Sequence, residues 1–577
     1  FLIEHLHEHS EEPVTKRLFL AILWALSIMV TSISIFYGQE IYSSSDSSSK
    51  FQEESFVFSE PEVIALVNGS RAYDYDLQLE NIAFSNPSFR SSGSLGANET
   101  ANWIKEQFES FGLEAWLEPF QFATWTLLEK PSLIIDEDGN KDTMNDQVLI
   151  GSFQCEHYSW FTPSEGVFAD LVTLPLPTAA DRTEIGKHPI DTATWDTINT
   201  TGKIVLIGRE IRMAPPSSGW IQLFIDKLRA QRPVAVVYTW WYDWMSFAPT
   251  FHSSAGGLPL GGYGPYYWNL SIPVGFVNYD DGLLIRNKEN SMDISASISI
   301  KSIVGNGINY NVVARIKGYK NPERLVIISS HYDTVMCSGF CDNGAGTAGV
   351  IELARVLSEA IDRELYKPTY TLLLVTFTCE ELYCVGSVNY IKQHKNEMVN
   401  VTAVINLDCI GSDDLYVTET DPMGGFDLDQ IIVKAAQDLG INIMLESFAD
   451  SDHESFRDPS EFNAIVLSNW NFDANISDAT SVTPSTMLES FPLLYNDKWR
   501  TGTPGWIHTP YDNSTSTKTL NWVEPQDLGN HIKVAALSIL RVSLDITIPE
   551  FSPDMLVILL MSITLLICIL AKKNFVH

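Results

Sequence analysis

The chain has 577 residues with a formal net charge of −35 at pH 7. That length exceeds one compact core, and the acidity excludes nucleic acid as a partner, because phosphates would be repelled. Hydrophobic residues make up 45% and charged residues 19%, so most of the chain is expected to be globular.

In chain order, a short tail (1–17) precedes the uncharged run 18–37, which follows Lys16 and Arg17. A second apolar run, 555–571, is followed by Lys572 and Lys573. Each is close to the ~20 residues that a membrane-spanning helix needs. Basic residues on the outer flanks predict a cell-membrane protein with both termini cytoplasmic and everything between outside. Residues 39–59 are polar and Ser-rich and read as a linker.

A globular part is expected from about residue 60, with domain segments at 60–150, 151–305 and 306–548. The stretch from Ala101 to Phe111 puts Trp103, Ile104, Phe108 and Phe111 on one helical face, and Gly112 ends it. Leu113 to Phe122 has strand character. Residues 151–305 hold short β-rich runs, GKIVLIGR (202–209), PVAVVY (233–238) and IPVGFVNYDDG (272–282), separated by Pro and Gly turns. Between them lies an aromatic stretch with Trp240, Trp241, Trp244, Tyr263, Tyr266, Tyr267 and Trp268, read as either a satellite core or a wall beside a cleft.

After residue 310 the apolar runs 325–329, 371–378 and 401–407 are continuous rather than alternating, with a helical stretch at 345–360. Continuous runs suit strands buried on both faces. The expected fold is an α/β three-layer sandwich with a mostly parallel central sheet, a β-rich insert and two flanking transmembrane helices.

Chemistry gathers where those runs end. SSHYDT supplies His331 and Asp333, CDNGAG supplies Asp342, TCEEL supplies Glu380 and Glu381, and NLDCIG supplies Asp408. SDHESF (Asp452, His453) and WIHTPYDN (His508, Asp512) follow. Ligands of open α/β sheets collect outside the carboxyl ends of the strands. Two histidines and three carboxylates suit Zn²⁺, and one carboxylate can bridge two ions. Of Glu380 and Glu381, one can bind metal while the other acts as a base. Asp333 is placed to accept the second ring N–H of His331.

This ordered set, with Arg90–Glu114 (RSSGSLGANETANWIKEQFESFGLE), resembles the co-catalytic di-zinc exopeptidases of the leucine aminopeptidase and glutamate carboxypeptidase II type. The resemblance covers residues of about 60–545, and the 151–305 insert resembles a protease-associated domain. It implies two Zn²⁺ per chain: Asp342 bridging, His331 and Asp408 completing one site, Glu381 and His508 the other. It further implies Glu380 as catalytic base, Asp333 orienting His331, and a cis peptide between Asp342 and Asn343. Asp452 and His453 match a family motif without an assigned role.

Peptides are the implied substrates, and scarce basic residues near the motifs favour recognition of a free amine over a terminal carboxylate. The alternatives are a carboxypeptidase of the same family, a glutaminyl-cyclase-like acyltransferase using one zinc, and a non-catalytic scaffold. A homo-oligomer is left open. Cys337 and Cys341 in the metal loop, with Cys379 and Cys384 around the Glu pair, are expected to form disulfides, since the oxygen and nitrogen donors are already complete. Seven N-x-S/T sequons, at Asn68, Asn98, Asn199, Asn269, Asn400, Asn475 and Asn513, mark candidate glycosylation sites.

Overall fold

The computed structural model describes residues 58–137, 147–156, 159–174, 192–208, 220–239, 272–382, 384–412, 415–418, 427–446, 451–457, 485–489, 507–508, 512–515 and 523–544. The aromatic stretch 240–268 lies outside these residues.

Sixteen strands among them form two eight-stranded sheets. The strands are β1 (Glu114–Leu127), β2 (Ser132–Asp136), β3 (Gln147–Leu149), β4 (Gln154–Cys155), β5 (Val167–Leu174), β6 (Ile204–Gly208), β7 (Ala235–Thr239), β8 (Val274–Phe276), β9 (Ile294–Ser299), β10 (Ser302–Ile316), β11 (Asn321–His331), β12 (Tyr370–Phe377), β13 (Val401–Leu407), β14 (Leu415–Thr418), β15 (Ile443–Glu446) and β16 (Ser485–Glu489). The first sheet has the order β1-β10-β12-β11-β13-β16-β14-β15 and the second β3-β2-β9-β5-β6-β7-β8-β4.

The centre of the first sheet is parallel, from β12 through β11 and β13 to β16. Its flanks are mixed: β10 runs antiparallel to both β1 and β12, β14 runs antiparallel to β16, and β15 runs parallel to β14. The expected mostly parallel sheet holds in four of the seven pairings, and the antiparallel ones toward the flanks make it mixed. The strands β1 and β10 pair along their whole length, from Glu114 with Arg315 to Leu127 with Ser302, a partnership that their separate local patterns do not reveal.

The continuous apolar runs are explained by burial on both faces. Val326 and Ile328 join Leu372, Leu374, Ala403 and Ile405 in one cluster with the helices Gly346–Asp362 and Pro525–Ser543. Leu325 and Ile327 join Leu373, Val375 and Val404 on the other face, against Tyr390, Ile391 and Phe456. Each such side chain contributes about 1.5–3 kcal/mol over its exposed state. The helix expected near residue 101 spans Leu95–Ser110, capped by Ser94, whose hydroxyl accepts the Ala97 N–H at 3.1 Å.

The second sheet takes in β2 and β3, both before residue 151, and is parallel from β5 to β8. Its core is continuous with Val335, Met336 and Cys337 after β11, and with Cys379, Leu382 and Val385 after β12. The loops beyond two central strands are thus held from the side by the second sheet.

The two expected transmembrane helices are withdrawn. Among the described residues no helix is long and apolar enough to cross a membrane, and the runs 18–37 and 555–571 lie outside the described residues. An apolar run is only a composition; crossing a bilayer requires a helix that satisfies its own backbone. The cell-membrane placement with cytoplasmic termini rested on those runs and is withdrawn with them. The fold is a mixed α/β fold with two sheets.

The expected disulfides are corrected as well. Cys155, Cys337, Cys341, Cys379, Cys384 and Cys409 are all buried, and none of them forms a disulfide among the described residues. Their sulfurs have other neighbours: the Cys384 thiol donates to Glu380 Oε1 at 3.8 Å, and that of Cys379 to Asn309 Oδ1 at 3.7 Å. Burial pushes the Cys337 and Cys379 thiols well above their ordinary range, so neither favours the reactive thiolate.

Candidate metal centre

The strands β12, β11 and β13 are immediate parallel neighbours, so their carboxyl ends open on one edge. His331 is the last residue of β11, Glu380 and Glu381 follow β12, and Asp408 follows β13 directly. Asp342 lies in the turn Phe340–Ala345 that leads into the helix Gly346–Asp362, and its peptide bond to Asn343 is cis.

Two groups of potential metal ligands result, His331–Asp342–Asp408 and Asp342–Glu381–His508, each with its ligand atoms within 4.8 Å of one another. Asp342 belongs to both. Its Oδ1 is 3.2 Å from His331 Nε2, and its Oδ2 is 2.9 Å from His508 Nε2. His331 Nε2 also lies 3.4 Å from Asp408 Oδ1, and His508 Nε2 lies 3.1 Å from Glu381 Oε2. Glu380 is in neither group, with its Oε2 3.8 Å from His331 Nε2.

These residues fit a pair of zinc ions. Four carboxylates converge on two imidazoles, and buried charge of one sign needs a compensating cation. Asp408 Oδ1 is buried and accepts no hydrogen bond from the described residues. His331 Nδ1 faces the Asp333 backbone carbonyl at 3.1 Å, which leaves Nε2 as the lone-pair nitrogen. The donor set of imidazole and carboxylate is that of zinc rather than of a hard cation.

The local electrostatics agree. Burial alone would push His331 and His508 down. The carboxylates of Asp408 and Glu380 around the first, and of Glu381 and Asp342 around the second, instead raise both well above the ordinary histidine value. Burial would raise Asp342, yet its hydrogen bonds to the same two histidines pull it far below the usual carboxylate range. Burial raises Glu380 well above its ordinary value, helped by Glu381 and Asp408 and opposed by His331.

Several supporting residues have no local signal in the sequence. The Ser92 hydroxyl donates to Asp333 Oδ2 at 2.5 Å, and the Glu380 N–H donates to Asp333 Oδ1 at 3.2 Å. Asp333 therefore links His331 to the Glu pair. Its carboxylate is 3.6 Å from His331 Nδ1, farther than its own carbonyl, which refines the expected contact.

Asn343 donates to the Leu407 carbonyl at 2.9 Å and accepts from the Gly346 and Cys409 N–H groups at 2.9 and 3.3 Å, tying the Asp342 turn to the end of β13. Ser451 donates to Asp408 Oδ2 at 2.6 Å. Asp452 and His453 are fully buried outside both groups, and Asp452 Oδ1 accepts from the Ser387 hydroxyl at 2.6 Å.

The backbone is unusual at the same edge. Cys379, Cys409 and His508 have φ of 60°, 49° and 57°. Non-glycine residues seldom take this left-handed conformation, and where they do they cluster at functional sites.

Peptidase family M28 matches residues 311–532, the segment that carries all of these donors. Over 120 residues the chain is 33% identical to a probable zinc metalloprotease of Pyrenophora teres f. teres, covering 19% of this chain and 24% of that protein. The match to a second such protein, from Pyrenophora tritici-repentis, covers 26% of it, so the chain spans about a quarter of these relatives. A longer likeness, 22% identity over 380 residues, joins the chain to leucine aminopeptidase 2 of Trichophyton rubrum, covering 64% and 66% of the two. In fold, the chain is similar to BSAP, a zinc aminopeptidase from Bacillus subtilis, with a TM-score of 0.54 and 19% identity over 82% of this chain and 94% of that one. The segment similar to that family thus sits in a fold of the same kind, with a zinc-suited donor set at its strand ends.

Proposed function

We propose that this chain is a di-zinc exopeptidase that removes residues from the N-termini of peptides. His331, Asp342 and Asp408 hold one zinc, and Asp342, Glu381 and His508 the other. The observation that carries this reading is the double engagement of Asp342, whose two oxygens face two different histidines at 3.2 and 2.9 Å. Two complete groups favour it over a single-zinc acyltransferase and over a ligand-poor scaffold.

Held by these residues, zinc would supply Lewis-acid chemistry, lowering the pKa of water and polarising a carbonyl. Glu380, outside both groups, accepts the proton of the attacking water and returns it to the leaving amine. Burial raises its carboxyl above the ordinary glutamate range, the direction that favours a group which takes up a proton and returns it. Asp333 is a positioning residue: through its carbonyl it orients His331, and through its carboxylate it holds the Glu380 backbone. The second sheet packs against the loops that flank this edge. We also take the chain as one peptidase domain around a protease-associated insert, expected at 151–305, whose sheet starts earlier, with β2 at Ser132, and ends before β10 at Ser302.

One observation favours the amine end of the substrate. Buried Arg90, beneath the metal loop, donates from Nε, Nη1 and Nη2 to the carbonyls of Tyr332, Ser338 and Gly339 at 3.0, 2.7 and 3.0 Å, so its guanidinium is engaged. A guanidinium so engaged is not available to pair with the terminal carboxylate that a carboxypeptidase must recognise. A carboxypeptidase is the second reading, on the 30% identity over 129 residues to the glutamate carboxypeptidase 2 homolog of Caenorhabditis briggsae.

The test is a panel of aminoacyl-anilides against N-blocked dipeptides, with zinc content measured alongside. Cleavage of the free-amine substrates with two zinc ions per chain is expected. Cleavage of blocked dipeptides alone would replace this reading with the carboxypeptidase, and neither zinc nor turnover would remove the enzyme reading.

A further inference from the structure

Asp512 stands four positions after His508 and takes no part in either ligand group. It is only 3% exposed. Its carboxylate forks across two consecutive backbone donors: Oδ1 accepts the Cys341 N–H at 2.7 Å and Oδ2 the Asp342 N–H at 3.2 Å. Its backbone carbonyl accepts the Ser338 hydroxyl and, at 3.4 Å, the Phe340 N–H. Every contact therefore falls on the loop that delivers Asp342.

We propose that Asp512 is a positioning residue that holds the Asp342 peptide in register with His508 and so sets the zinc affinity of the Asp342–Glu381–His508 group. The physical basis is selective. Asp342 Oδ2 and His508 Nε2 meet at 2.9 Å, and both belong to segments that Asp512 joins. Of the three ligands in that group, two depend on the join. The His331–Asp342–Asp408 group depends on it through Asp342 alone, because His331 and Asp408 ride on β11 and β13. A carboxylate is required, since both partners are N–H donors and an amide would turn its own NH₂ toward one of them. The proposal rests on the di-zinc reading.

The test compares the full chain with Asp512→Asn, both stripped of metal and titrated with zinc by calorimetry, with apo-protein melting followed in parallel. The wild type is expected to bind two ions. Asp512→Asn is expected to lose about 10–100-fold in affinity at one site while the other shifts far less, the usual cost of removing a group that orients metal ligands. Its kcat should fall with the weaker site's occupancy and recover at high zinc, which a general loss of stability would not produce. Equal weakening of both sites, or unchanged affinities with a lowered apo melting temperature, would overturn the proposal and leave Asp512 a structural residue. A wild type that binds no zinc would overturn the di-zinc reading, and this proposal with it. Should Asp512→Asn fail to fold, Ser338→Ala removes only the hydroxyl held by the Asp512 carbonyl. A smaller loss at the same single site supports the proposal, and no loss overturns it.

Discussion

Replacing Glu380 by Gln separates proton transfer from metal binding within one side chain. The glutamine is nearly isosteric, and the backbone N–H that donates to Asp333 at 3.2 Å is untouched. Glu380 stands outside both ligand groups, so the variant should bind as much zinc as the wild type. What it loses is the ability to accept a proton. A positioned acid–base group contributes roughly 10²–10⁴-fold, which at about 1.4 kcal/mol per decade is about 3–5.5 kcal/mol of barrier. The expected result is a fall in kcat of that size with KM little changed, because Glu380 is not a zinc ligand. Steady-state cleavage of an aminoacyl-anilide, with zinc content by elemental analysis, reads both. A variant within about threefold of wild-type kcat would refute the assignment of the base. Loss of a zinc equivalent together with the activity would show that Glu380 is a ligand.

Two further outcomes follow from neighbouring contacts. Arg90→Lys keeps one charge but cannot span the Tyr332, Ser338 and Gly339 carbonyls; Gly339 keeps the Gly344 N–H, so at least one of the other two buried acceptors goes unpaired, at about 1–3 kcal/mol; urea unfolding of the apo-protein within about 0.5 kcal/mol of wild type would contradict this. Away from the metal centre, His394 is hydrogen-bonded to Glu118 at 3.0 Å, and that bond raises its imidazolium above the ordinary value. A raised folded value means stability that is fully present below the unfolded value of about 6.5 and is lost as pH rises through the folded one. Glu118→Gln should therefore melt below the wild type at about pH 6 and converge with it by about pH 9, and a pH-independent difference would count against the pairing.

Much of the centre is legible in the sequence because the strands that carry it are buried on both faces. Such strands need uninterrupted apolar residues, so their ends show as abrupt changes to His, Asp and Glu at 331, 380–381 and 408. The helix Leu95–Ser110 is legible for a similar reason: one face is buried, and Ala101, Ile104 and Phe108 recur at helical spacing. The flanks of the sheet are not, since the antiparallel pairing of β1 with β10 joins segments whose own patterns are silent about direction. The cysteines, none of them in a disulfide among the described residues, defeat that expectation because proximity in sequence says nothing about where a buried sulfur points.

The donor types, their order, and the edge on which three strands end are one-dimensional properties of composition and period, and so are written in the chain itself. How those donors are held is settled in three dimensions. Ser92 reaches Asp333 across 241 positions, and Asp512 reaches Cys341 across 171. Hydrogen bonds of that span leave no periodic trace, because each needs only one polar atom at one place, and that place is set by how the strands and loops pack.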